Sequence, residues 1–408
     1  MKSGSGLAVR PIKDFCIGIY DGPHATPKES SSGAIFLGIS NFTQDGKLDL
    51  SNVKYISSDE LPKWTRRVIP QAGDVVFTYE ATLHRYAIIP DGFLGCLGRR
   101  VALVRPDPTQ LDSHYLLYYF LSEDWRKTVE GSIISGATVD RIPLEKFPSL
   151  PVKLPPLASQ HRIVRMLRSY DDLIENNRRR MAKLEEAARL IYQEWFVRLR
   201  FPGHERTRIV DGLPQGWVRK PLSEVAEFRL GKMLDQEKNR GTLMPYLANI
   251  NVRWGAFDLL DLREMRFEDD EIETYGLKSG DIVMCEGGEP GRCALWKEQI
   301  PQMMIQKALH RIRCREGMSP EFLYQNLRIQ AQCGQLATLF TGATIKHLPR
   351  EKLAKVTVIV PPAKLLDAFV DYSRPIENQL RTLSLQNDKL RAARDLLLPR
   401  LMSGEIAV

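Results

Sequence analysis

The sequence predicts an α+β protein in which two similar domains are separated by two long antiparallel coiled-coil helices, with a pseudo-two-fold internal repeat. The segment GATVDRIPLEKFPSLPVKLPP, from Gly136 to Pro156, returns as GATIKHLPREKLAKVTVIVPP, from Gly342 to Pro362, 206 residues later without a gap. Each copy follows a stretch of mixed strand and helix patterns and runs into a long helical pattern. A period this long excludes a solenoid, whose units span about 20–50 residues, and indicates a duplicated domain-plus-helix module.

The repeat also sets the expected boundaries. We expect a first domain at residues 1–155, a first helix at 156–202, a second domain at 203–361 and a second helix at 362–408. A chain of 408 residues exceeds what one hydrophobic core usually serves, so two domains of ordinary size fit its length. A duplicated protein presents two similar surfaces, which favours a target in two parts.

Composition and charge restrict the class of protein. With 43% hydrophobic and 26% charged residues the composition is that of an ordinary globular protein, and the net charge of +8 is compatible with a polyanionic partner without requiring one. The six cysteines form no CxxC pair and none lies near a histidine at zinc-ligand spacing, so we expect free thiols and no metal. The amino terminus lacks the apolar core of a signal peptide, and the most apolar stretch, residues 115–121, is too short to cross a bilayer. We therefore expect a cytoplasmic protein with no membrane partner.

Short strands and one helix are predicted in the first domain. Residues 75–79 and 100–106 are rich in β-branched and aromatic residues and are bounded by turn formers, so they are predicted strands. Residues 112–130 are predicted as one helix, with Asp112 as its N-cap and Gly131 closing it.

The second domain repeats this plan. We expect its matching strands at residues 280–285 and 308–314. Its matching helix is predicted at residues 319–336, because Ser319 is a suitable N-cap and Pro320 is favoured at the first helical position.

Both long helices are predicted from apolar residues that recur at alternating steps of four and three, the seam of a coiled coil. We expect Pro202 and Gly203 to end the first helix, and Pro375 to break the second; Asp171 and Asp172 mark a candidate division of the first helix. A helix of roughly 40 residues spans about 60 Å, so the antiparallel pair is a spacer between the domains. The candidate helix-pair and subunit-interface residues are Ile174, Met181, Leu184, Ile191, Tyr192, Trp195, Phe196, Leu380, Leu383, Leu390 and Leu397.

Polar and surplus apolar residues on these helices leave alternatives. Asn177 and Asn387 either fix the register of the seam or lie at its solvated edge. The basic run Arg178–Arg180 suits a solvated face better than a DNA contact. Tyr192, Phe196 and Leu199 lie off the seam, where a two-helix ribbon cannot bury them, so we expect other subunits to cover them.

The sequence carries none of the usual motifs of catalysis. It has no GxxxxGK[ST] phosphate loop, no glycine-rich dinucleotide turn, no (D/N)PP(Y/F) methyltransferase tetrapeptide and no HExxH or GxSxG. Its seven histidines form no convergent pair. We therefore assign no catalytic residue and interpret the chain as a scaffold that recognises something.

Several segments resemble those of type I restriction–modification specificity subunits. LIENNRRRMAKLEEAARLIYQEWFVRLRFPGHE, from Leu173 to Glu205, resembles their central conserved helix, and LRAARDLLLPRLMSGEIAV, from Leu390 to Val408, looks like their C-terminal helix. DGLPQGWVRKPLSEVAEF, which begins at Asp211, resembles the opening of one of their target recognition domains. GATVDRIP and GATIKHLP resemble the segment that closes each such domain. The resemblance covers nearly the whole chain and departs from the family at the amino terminus, where the opening segment is truncated or degenerate.

The resemblance implies a function. In this family each target recognition domain binds one half of a bipartite, asymmetric sequence in double-stranded DNA, and the helices set the gap between the halves. The specificity subunit is not catalytic. It docks two methyltransferase (M) subunits, which hold S-adenosylmethionine, and through them the restriction (R) subunits. The assembled complex would have adenine-N6 DNA methyltransferase and endonuclease activity, with no cofactor in this chain.

Candidate DNA-binding residues follow from side-chain chemistry. Base edges are read by Arg, Lys, Asn, Gln and acidic side chains, and phosphates bind Lys, Arg and hydroxyl groups. The candidates are Lys28, Asn41, Tyr79, His84, Arg85 and Thr138 in the first domain, and Arg253, Trp254, Glu286, Arg292, Lys307, Thr344 and Lys346 in the second.

Some of these candidates have a structural alternative. Asn41, which aligns with Asn251, is of a type that also forms turns. Glu286 either accepts from a cytosine amino group or pairs with Arg292, and Thr138 and Thr344 suit a role in holding the backbone.

Two other functions fit the sequence less well. A structural adaptor would use the coiled coil to hold two protein-binding domains apart and would show no sequence preference on DNA. An unrecognised nuclease or single-chain methyltransferase would alter DNA by itself in the presence of Mg²⁺ or S-adenosylmethionine.

Overall fold

The computed structural model describes residues 8–134, 139–235, 239–259 and 262–406. The chain divides into two compact units, Met1–Glu175 with Asn387–Val408, and Asn176–Gln386. Each unit therefore contains one of the two repeated domains together with one end of each long helix.

The strands follow the same order in both copies, except that the second copy begins with an additional two-stranded hairpin. The strands are β1 (Ala8–Pro11), β2 (Cys16–Asp21), β3 (Ala34–Leu37), β4 (Lys54–Ile56), β5 (Val75–Thr78), β6 (Tyr86–Ile88), β7 (Gly95–Leu97), β8 (Val101–Pro106), β9 (Pro151–Leu154), β10 (Ile209–Val210), β11 (Leu213–Pro214), β12 (Val218–Pro221), β13 (Ala226–Leu230), β14 (Thr242–Leu247), β15 (Arg263–Phe267), β16 (Ile282–Cys285), β17 (Cys293–Leu295), β18 (Met304–Ile305), β19 (Leu309–Cys314) and β20 (Thr357–Val360). The helices are α1 (Leu61–Trp64), α2 (Ser113–Leu121), α3 (Glu123–Glu130), α4 (Leu157–Tyr192), α5 (Leu222–Val225), α6 (Asp269–Tyr275), α7 (Pro320–Gln332), α8 (Arg350–Leu353) and α9 (Ala363–Met402).

The two domains share one sheet topology. The larger sheet, which we call the core sheet, has the order β2-β8-β5-β6 in the first domain and β13-β19-β16-β17 in the second. The smaller sheet has the order β4-β3-β7 or β15-β14-β18, and its middle strand pairs antiparallel on one side and parallel on the other. Because the orders match strand by strand, the predicted α+β fold with an internal repeat is confirmed.

The opening of the first domain is more regular than its sequence indicated. β1 pairs with β9 in an antiparallel ribbon, just as β12 pairs with β20 in the second domain. The amino-terminal segment, which resembles the family's opening segment only in a truncated or degenerate form, therefore supplies the matching strand at Ala8–Pro11.

Most predicted elements of the domains are confirmed, with one exception. The strands expected at 75–79, 100–106, 280–285 and 308–314 are β5, β8, β16 and β19. The single helix expected at 112–130 is instead α2 followed by α3, because the backbone of Ser122 is extended and its hydroxyl accepts a hydrogen bond from the N–H of Trp125. A serine that caps the next helix competes with helix continuation.

Helix caps were predicted more reliably than helix lengths. The carboxylate of Asp112 accepts hydrogen bonds from the N–H groups of His114 (2.8 Å) and Tyr115 (2.9 Å), which confirms it as an N-cap. In the second domain Ser319 caps α7 by accepting from the N–H of Phe322 at 3.1 Å.

Both core sheets contain the same buried ion pair. Asp74 is 2% exposed and accepts hydrogen bonds of 2.8 and 2.7 Å from the guanidinium of Arg105. Asp281 is 1% exposed and accepts hydrogen bonds of 2.7 and 2.6 Å from Arg313. Each carboxylate also accepts from the backbone N–H three residues before it, at 2.8 and 2.7 Å. The pair therefore ties the turn before β5 or β16 to the neighbouring strand β8 or β19.

The long helices are continuous where breaks were predicted. α4 passes through Asp171 and Asp172, and α9 passes through Pro375. Pro375 removes the N–H that would bind the carbonyl of Asp371, but both residues are exposed, so water can satisfy that carbonyl. α4 also ends earlier than expected, in a π-helical turn at Gln193–Val197 rather than at Pro202.

Within each unit the two long helices run antiparallel. In the first unit, Leu167 near the start of α4 belongs to the same buried cluster as Leu401 and Met402 at the end of α9. In the second unit, the ring of Phe196, just after α4, lies 5.2 Å from that of Phe369 in the first turns of α9. One end of each helix is therefore part of each domain core.

Burial tests the residues proposed along the helix seam. Asn177 and Asn387 are both buried, which excludes the solvated-edge alternative. In the basic run, Arg179 and Arg180 are exposed, as on a solvated face, and Arg178 is partly buried. Of the interface candidates, Ile174, Tyr192, Phe196, Leu380 and Leu383 are buried and Met181, Leu184, Ile191, Trp195, Leu390 and Leu397 are partly buried.

The expectation that other subunits cover the off-seam aromatic residues is wrong. Tyr192 and Phe196 are 3% and 8% exposed, and they belong to the core of the second domain with Phe322 and Trp217. Leu199 packs against the same cluster. The prediction that the helix pair alone cannot bury these residues is correct, but the domain that follows α4 in the sequence covers them, not another subunit.

In the part of the chain that the structure describes, no helix is long and apolar enough to cross a membrane.

We predict that Asp281→Ala will lower the free energy of unfolding of the second unit by about 3–5 kcal/mol. The substitution removes the buried carboxylate and leaves the guanidinium of Arg313 without its charged partner. Urea unfolding followed by tryptophan fluorescence measures this change. The matched control is Glu227→Ala, which removes the exposed partner of Arg315 in the same sheet, where both side chains are at least half exposed. It should change stability by less than about 1 kcal/mol. Equal losses in the two variants would show that burial of the ion pair does not matter.

Candidate nucleic-acid interface

Three segments of the second domain meet at one end of its core sheet. They are the β16–β17 loop at residues 286–292, residues 306–308 before β19, and the closing segment at 341–348. The N–H of Glu286 donates to the carbonyl of Ala308, and the N–H of Leu348 donates to the carbonyl of Glu286, both at 2.8 Å. We call these three segments the loop edge of the second domain.

The first domain has a matching loop edge. It consists of residues 79–85 between β5 and β6, residues 99–100 before β8, and the closing segment around residues 139–142. The N–H of Tyr79 donates to the carbonyl of Arg100 at 3.2 Å, and the N–H of Ile142 donates to the carbonyl of Tyr79 at 2.8 Å. The same strand ends therefore position the same loops in both domains.

The β5–β6 loop and the β16–β17 loop share an unusual backbone. Gly288 and Gly291 have positive φ angles of 80° and 89°, and the residues at the equivalent positions, Ala81 and His84, have φ angles of 67° and 58°. Residues other than glycine rarely adopt a positive φ angle, and such backbone strain often lies at functional sites. The first domain therefore keeps two side chains where the second has glycine.

Charged side chains on the first loop edge include several that sequence reasoning missed. Arg99 and Arg141 are exposed, and Arg100 pairs with Glu80 at 2.9 Å. The signal was available, because Arg99 and Arg100 come directly before β8 as Lys307 and Ala308 come directly before β19, and Lys307 was already a candidate. Aligning the repeat at these strands would have found Arg99 and Arg100.

The second loop edge carries a different set of charges on the same frame. Lys307 and Lys346 are exposed, and Glu286 lies 3.0 Å from Nδ1 of His347. The residue equivalent to Glu80 is Gly287, so the second edge has no carboxylate at that position. The two edges therefore offer different donors and acceptors in equivalent places.

The expected alternative pairing of Glu286 with Arg292 is not what the structure contains. Arg292 pairs with Glu289 and donates to the carbonyl of Asn249 at 2.9 Å. This contact brings the loop that holds Arg253 and Trp254, both exposed, next to the loop edge. Thr344 is exposed in the closing segment. The candidates of the second domain therefore lie on connected loops.

The candidates of the first domain are less uniform. Asn41 is buried, and its side chain accepts from the N–H of Gly38 and donates to the carbonyls of two later residues. Asn251 likewise accepts from the N–H of Ala248 and donates to the carbonyl of Asp258. Tyr79 is also buried, and its hydroxyl donates to the carbonyl of Arg99 at 2.6 Å. These polar groups serve the domain's own backbone, so we remove Asn41 and Tyr79 from the base-reading candidates.

The remaining first-domain candidates differ in position. His84 and Arg85 are half-buried on the β5–β6 loop, and burial, followed by repulsion from Arg126, lowers the pKa of His84. Lys28 is exposed on the segment between β2 and β3. Thr138 lies outside the described residues.

The side chains of the two loop edges suit contact with duplex DNA. Exposed Arg and Lys donate to phosphate oxygens and to guanine, and a carboxylate such as Glu286 accepts from the cytosine amino group. Within the described ranges, no group of three or more His, Cys, Asp or Glu side chains is arranged to hold a metal ion.

A buried histidine holds the closing segment of the second domain. His310 in β19 is fully buried, and its Nε2 lies 2.8 Å from the carbonyl oxygen of Leu348. Nε2 therefore carries the hydrogen, and Nδ1 has no hydrogen-bond partner among the residues that the structure describes. Burial lowers the pKa of His310, so the ring stays neutral at neutral pH.

The chain is similar in sequence to specificity subunits of type I restriction enzymes. A family model described as the type I restriction modification DNA specificity domain matches residues 9–186. The chain is 23% identical over 380 residues to the specificity subunit of the type I restriction enzyme MjaIX of Methanocaldococcus jannaschii, a match that covers 88% of this chain and 85% of the relative. It is 21% identical over 394 residues to the EcoKI specificity subunit of Escherichia coli, with coverage of 90% and 81%.

Structural comparison agrees at the level of the fold. The crystal structure of a type I restriction–modification S subunit from M. genitalium superposes on this chain with a TM-score of 0.51 and 16% sequence identity. The match covers 98% of this chain and 97% of the other. The two proteins share a fold although few of their residues are identical.

We predict that the second domain loses stability in mild acid because of His310. Its folded pKa lies below the ordinary value of 6.5, so the unfolded chain binds the proton more readily. The full stability is therefore present above about pH 6.5 and is lost as the pH falls below that value. The free energy of unfolding, measured by urea titration at pH 7 and pH 5.5, should fall between the two.

His310→Gln is the matched variant, since an amide can still donate to the carbonyl of Leu348 but does not titrate. It should show a smaller fall with pH than the parent protein. Part of the fall measured on the whole chain should remain, because burial also lowers the pKa of His84 and His114 in the first domain. Identical pH slopes for parent and variant would refute the role of His310.

Proposed function

We propose that this chain is a type I restriction–modification specificity subunit, like the proteins to which it is similar, and that it reads a bipartite sequence in double-stranded DNA, one half with each domain. The observation that supports this most directly is the repeated frame. Both domains have the same sheet order and the same loop edge, but the exposed side chains on the two edges differ. Such an arrangement suits two half-sites of different sequence.

We further propose that the two long helices set the gap between the half-sites and dock the partner subunits. Specificity subunits are not catalysts themselves, so we assign adenine-N6 methylation to two M subunits that hold S-adenosylmethionine, and cleavage to R subunits bound through them. Apolar side chains on the helices support a docking role. Leu173 and Leu396 are 51% and 66% exposed in the first unit, and Leu190 is 44% exposed in the second.

The experiment that tests this function is the mapping of methylated adenines in cells with and without this chain, in the presence of its active methyltransferase. We expect one bipartite motif to disappear when the chain is absent. Exchanging residues 1–155 for those of a relative should then change one half of the motif and leave the other half intact. An unchanged methylation pattern would contradict the proposal.

A structural adaptor remains the competing function, and DNA binding separates the two. The proposed function requires duplex binding that depends on sequence and falls steeply with salt, since phosphate contacts release counterions. An adaptor of two protein-binding domains would bind specific and random duplexes alike at every salt concentration.

We predict that Lys307→Ala will weaken binding of the complex to its target DNA and reduce the slope of log affinity against log salt by about 1, the value for one lost phosphate contact. Lys307 is exposed on the second loop edge. Fluorescence anisotropy at several salt concentrations measures both quantities.

Lys364→Ala is the control for this change. Lys364 is also exposed and carries the same charge, but it lies on the first turn of α9. Its replacement should leave the salt slope within error. If both variants reduce the slope equally, net charge rather than the loop edge determines binding.

A further inference from the structure

Charged residues join the second domain to both long helices. Glu185 on α4 lies 3.5 Å from the guanidinium of Arg328 on α7, and Glu377 on α9 pairs with Lys297, which follows β17. All these side chains are at least three-quarters buried. Arg328 also donates to the hydroxyl of Tyr324 at 3.1 Å. We call Glu185, Arg328, Lys297 and Glu377 the second clamp.

The first unit has a comparable set. Asp171 on α4 accepts from the guanidinium of Arg394 on α9 at 2.6 Å and from the hydroxyl of Tyr118 on α2. One turn later on α4, Glu175 pairs with Lys47 of the domain at 3.2 Å. We call Tyr118, Asp171, Arg394, Lys47 and Glu175 the first clamp.

The two clamps share part of their chemistry. In both, α4 supplies carboxylates, and the domain supplies the donors: Lys47 and Tyr118 in the first, Lys297 and Arg328 in the second. In both, a residue of α9 completes the set. The second domain is therefore bound by directional contacts to both helices, and the first is bound to α4, whose Asp171 is bound in turn by Arg394 of α9.

Directional contacts restrict the angle between a domain and the helices more sharply than the apolar contacts at the same junctions do. Apolar burial is non-directional, so the contact of Phe196 with Phe369 and the shared cluster of Leu167 and Leu401 restrict the angle of a domain less sharply than hydrogen bonds do. Hydrogen-bonded charges lose most of their energy when the angle changes. The clamps fix the angle at which each domain leaves the helices.

We propose that the residues of the two clamps are positioning residues that determine how strictly the protein discriminates the length of the gap between its half-sites. The inference rests on the proposed function. One extra base pair moves a half-site by about 3.4 Å and rotates it by about 35° around the DNA axis. A domain that is rigidly seated rejects that displacement, and a domain that pivots tolerates it.

The test uses the full chain assembled with its methyltransferase. Three duplexes carry the mapped half-sites at the natural gap, at one base pair more and at one base pair less, and the rate of adenine methylation is measured on each. For Glu185→Gln we expect the ratio of the methylation rate on the natural gap to the rate on the altered gaps to fall about tenfold. This is the size of effect that losing a hydrogen bond to a charged group produces. Tyr118→Phe, which removes one hydroxyl from the first clamp, should lower the ratio in the same direction while leaving the chain folded.

Glu186→Gln is the matched control. Glu186 is the next residue on α4, is half exposed, and pairs with Arg189 of the same helix rather than with the domain. Its ratio of methylation rates on natural and altered gaps should equal that of the parent protein.

The outcomes separate this inference from the proposed function. If Glu185→Gln and Tyr118→Phe methylate the natural gap and keep the parental ratio, or lose methylation equally on all three duplexes, the clamps serve only stability or assembly and the inference fails. If the parent protein itself shows no motif or no gap preference, the proposed function fails instead. A thermal unfolding curve for each variant shows that the comparison is made on folded protein.

Discussion

The structure depends on one constraint: neither domain closes its hydrophobic core without an end of both long helices. Leu167 of α4 and Leu401 of α9 are buried in the first core, and Phe196, just after α4, and Phe369 of α9 are buried in the second. Apolar burial is the dominant favourable term in folding, so the helices are structural parts of both domains. The chain has to leave the first core through α4 and return to it through α9. A spacer built in this way is tied to the folding of the domains that it separates.

That constraint separates what the two copies must share from what they can vary. Asp74 and Asp281 are buried charges that become very unfavourable without their arginine partners, so both copies keep the pair. The loop edges are exposed and carry no such requirement. At equivalent positions the first copy has the ion pair of Arg100 and Glu80, and the second has Ala308 and Gly287. Divergence between the copies is therefore concentrated where it does not threaten folding.

Long-range order was predictable from this sequence, and local interruptions were not. The 206-residue repeat and the heptad seam are patterns summed over many residues, so they predicted the two domains and the long helices correctly. Ser122 and Pro375 show the limit. Each is a residue that can end a helix; Ser122 does so because its hydroxyl caps α3, whereas Pro375 does not because the carbonyl it leaves unpaired lies on an exposed face. The covering of Tyr192 and Phe196 by the second domain depends on packing between segments far apart in the sequence, which no periodicity contains.

The two loop edges were harder to predict from the sequence. Residue type alone does not distinguish a side chain that supports a loop from one that the loop exposes to a partner. Asn41 has the chemistry of a base reader, but it is buried and bonds to its own backbone, while Arg99 was overlooked and is exposed. Backbone conformation makes the distinction better. His84 occupies a left-handed position that Gly291 occupies in the other copy, and a non-glycine residue there costs of the order of 1–3 kcal/mol. Since glycine would relieve this strain without changing the loop, the histidine side chain itself is what the first domain retains. Burial keeps its pKa low, so at neutral pH the ring can donate through one nitrogen and accept through the other.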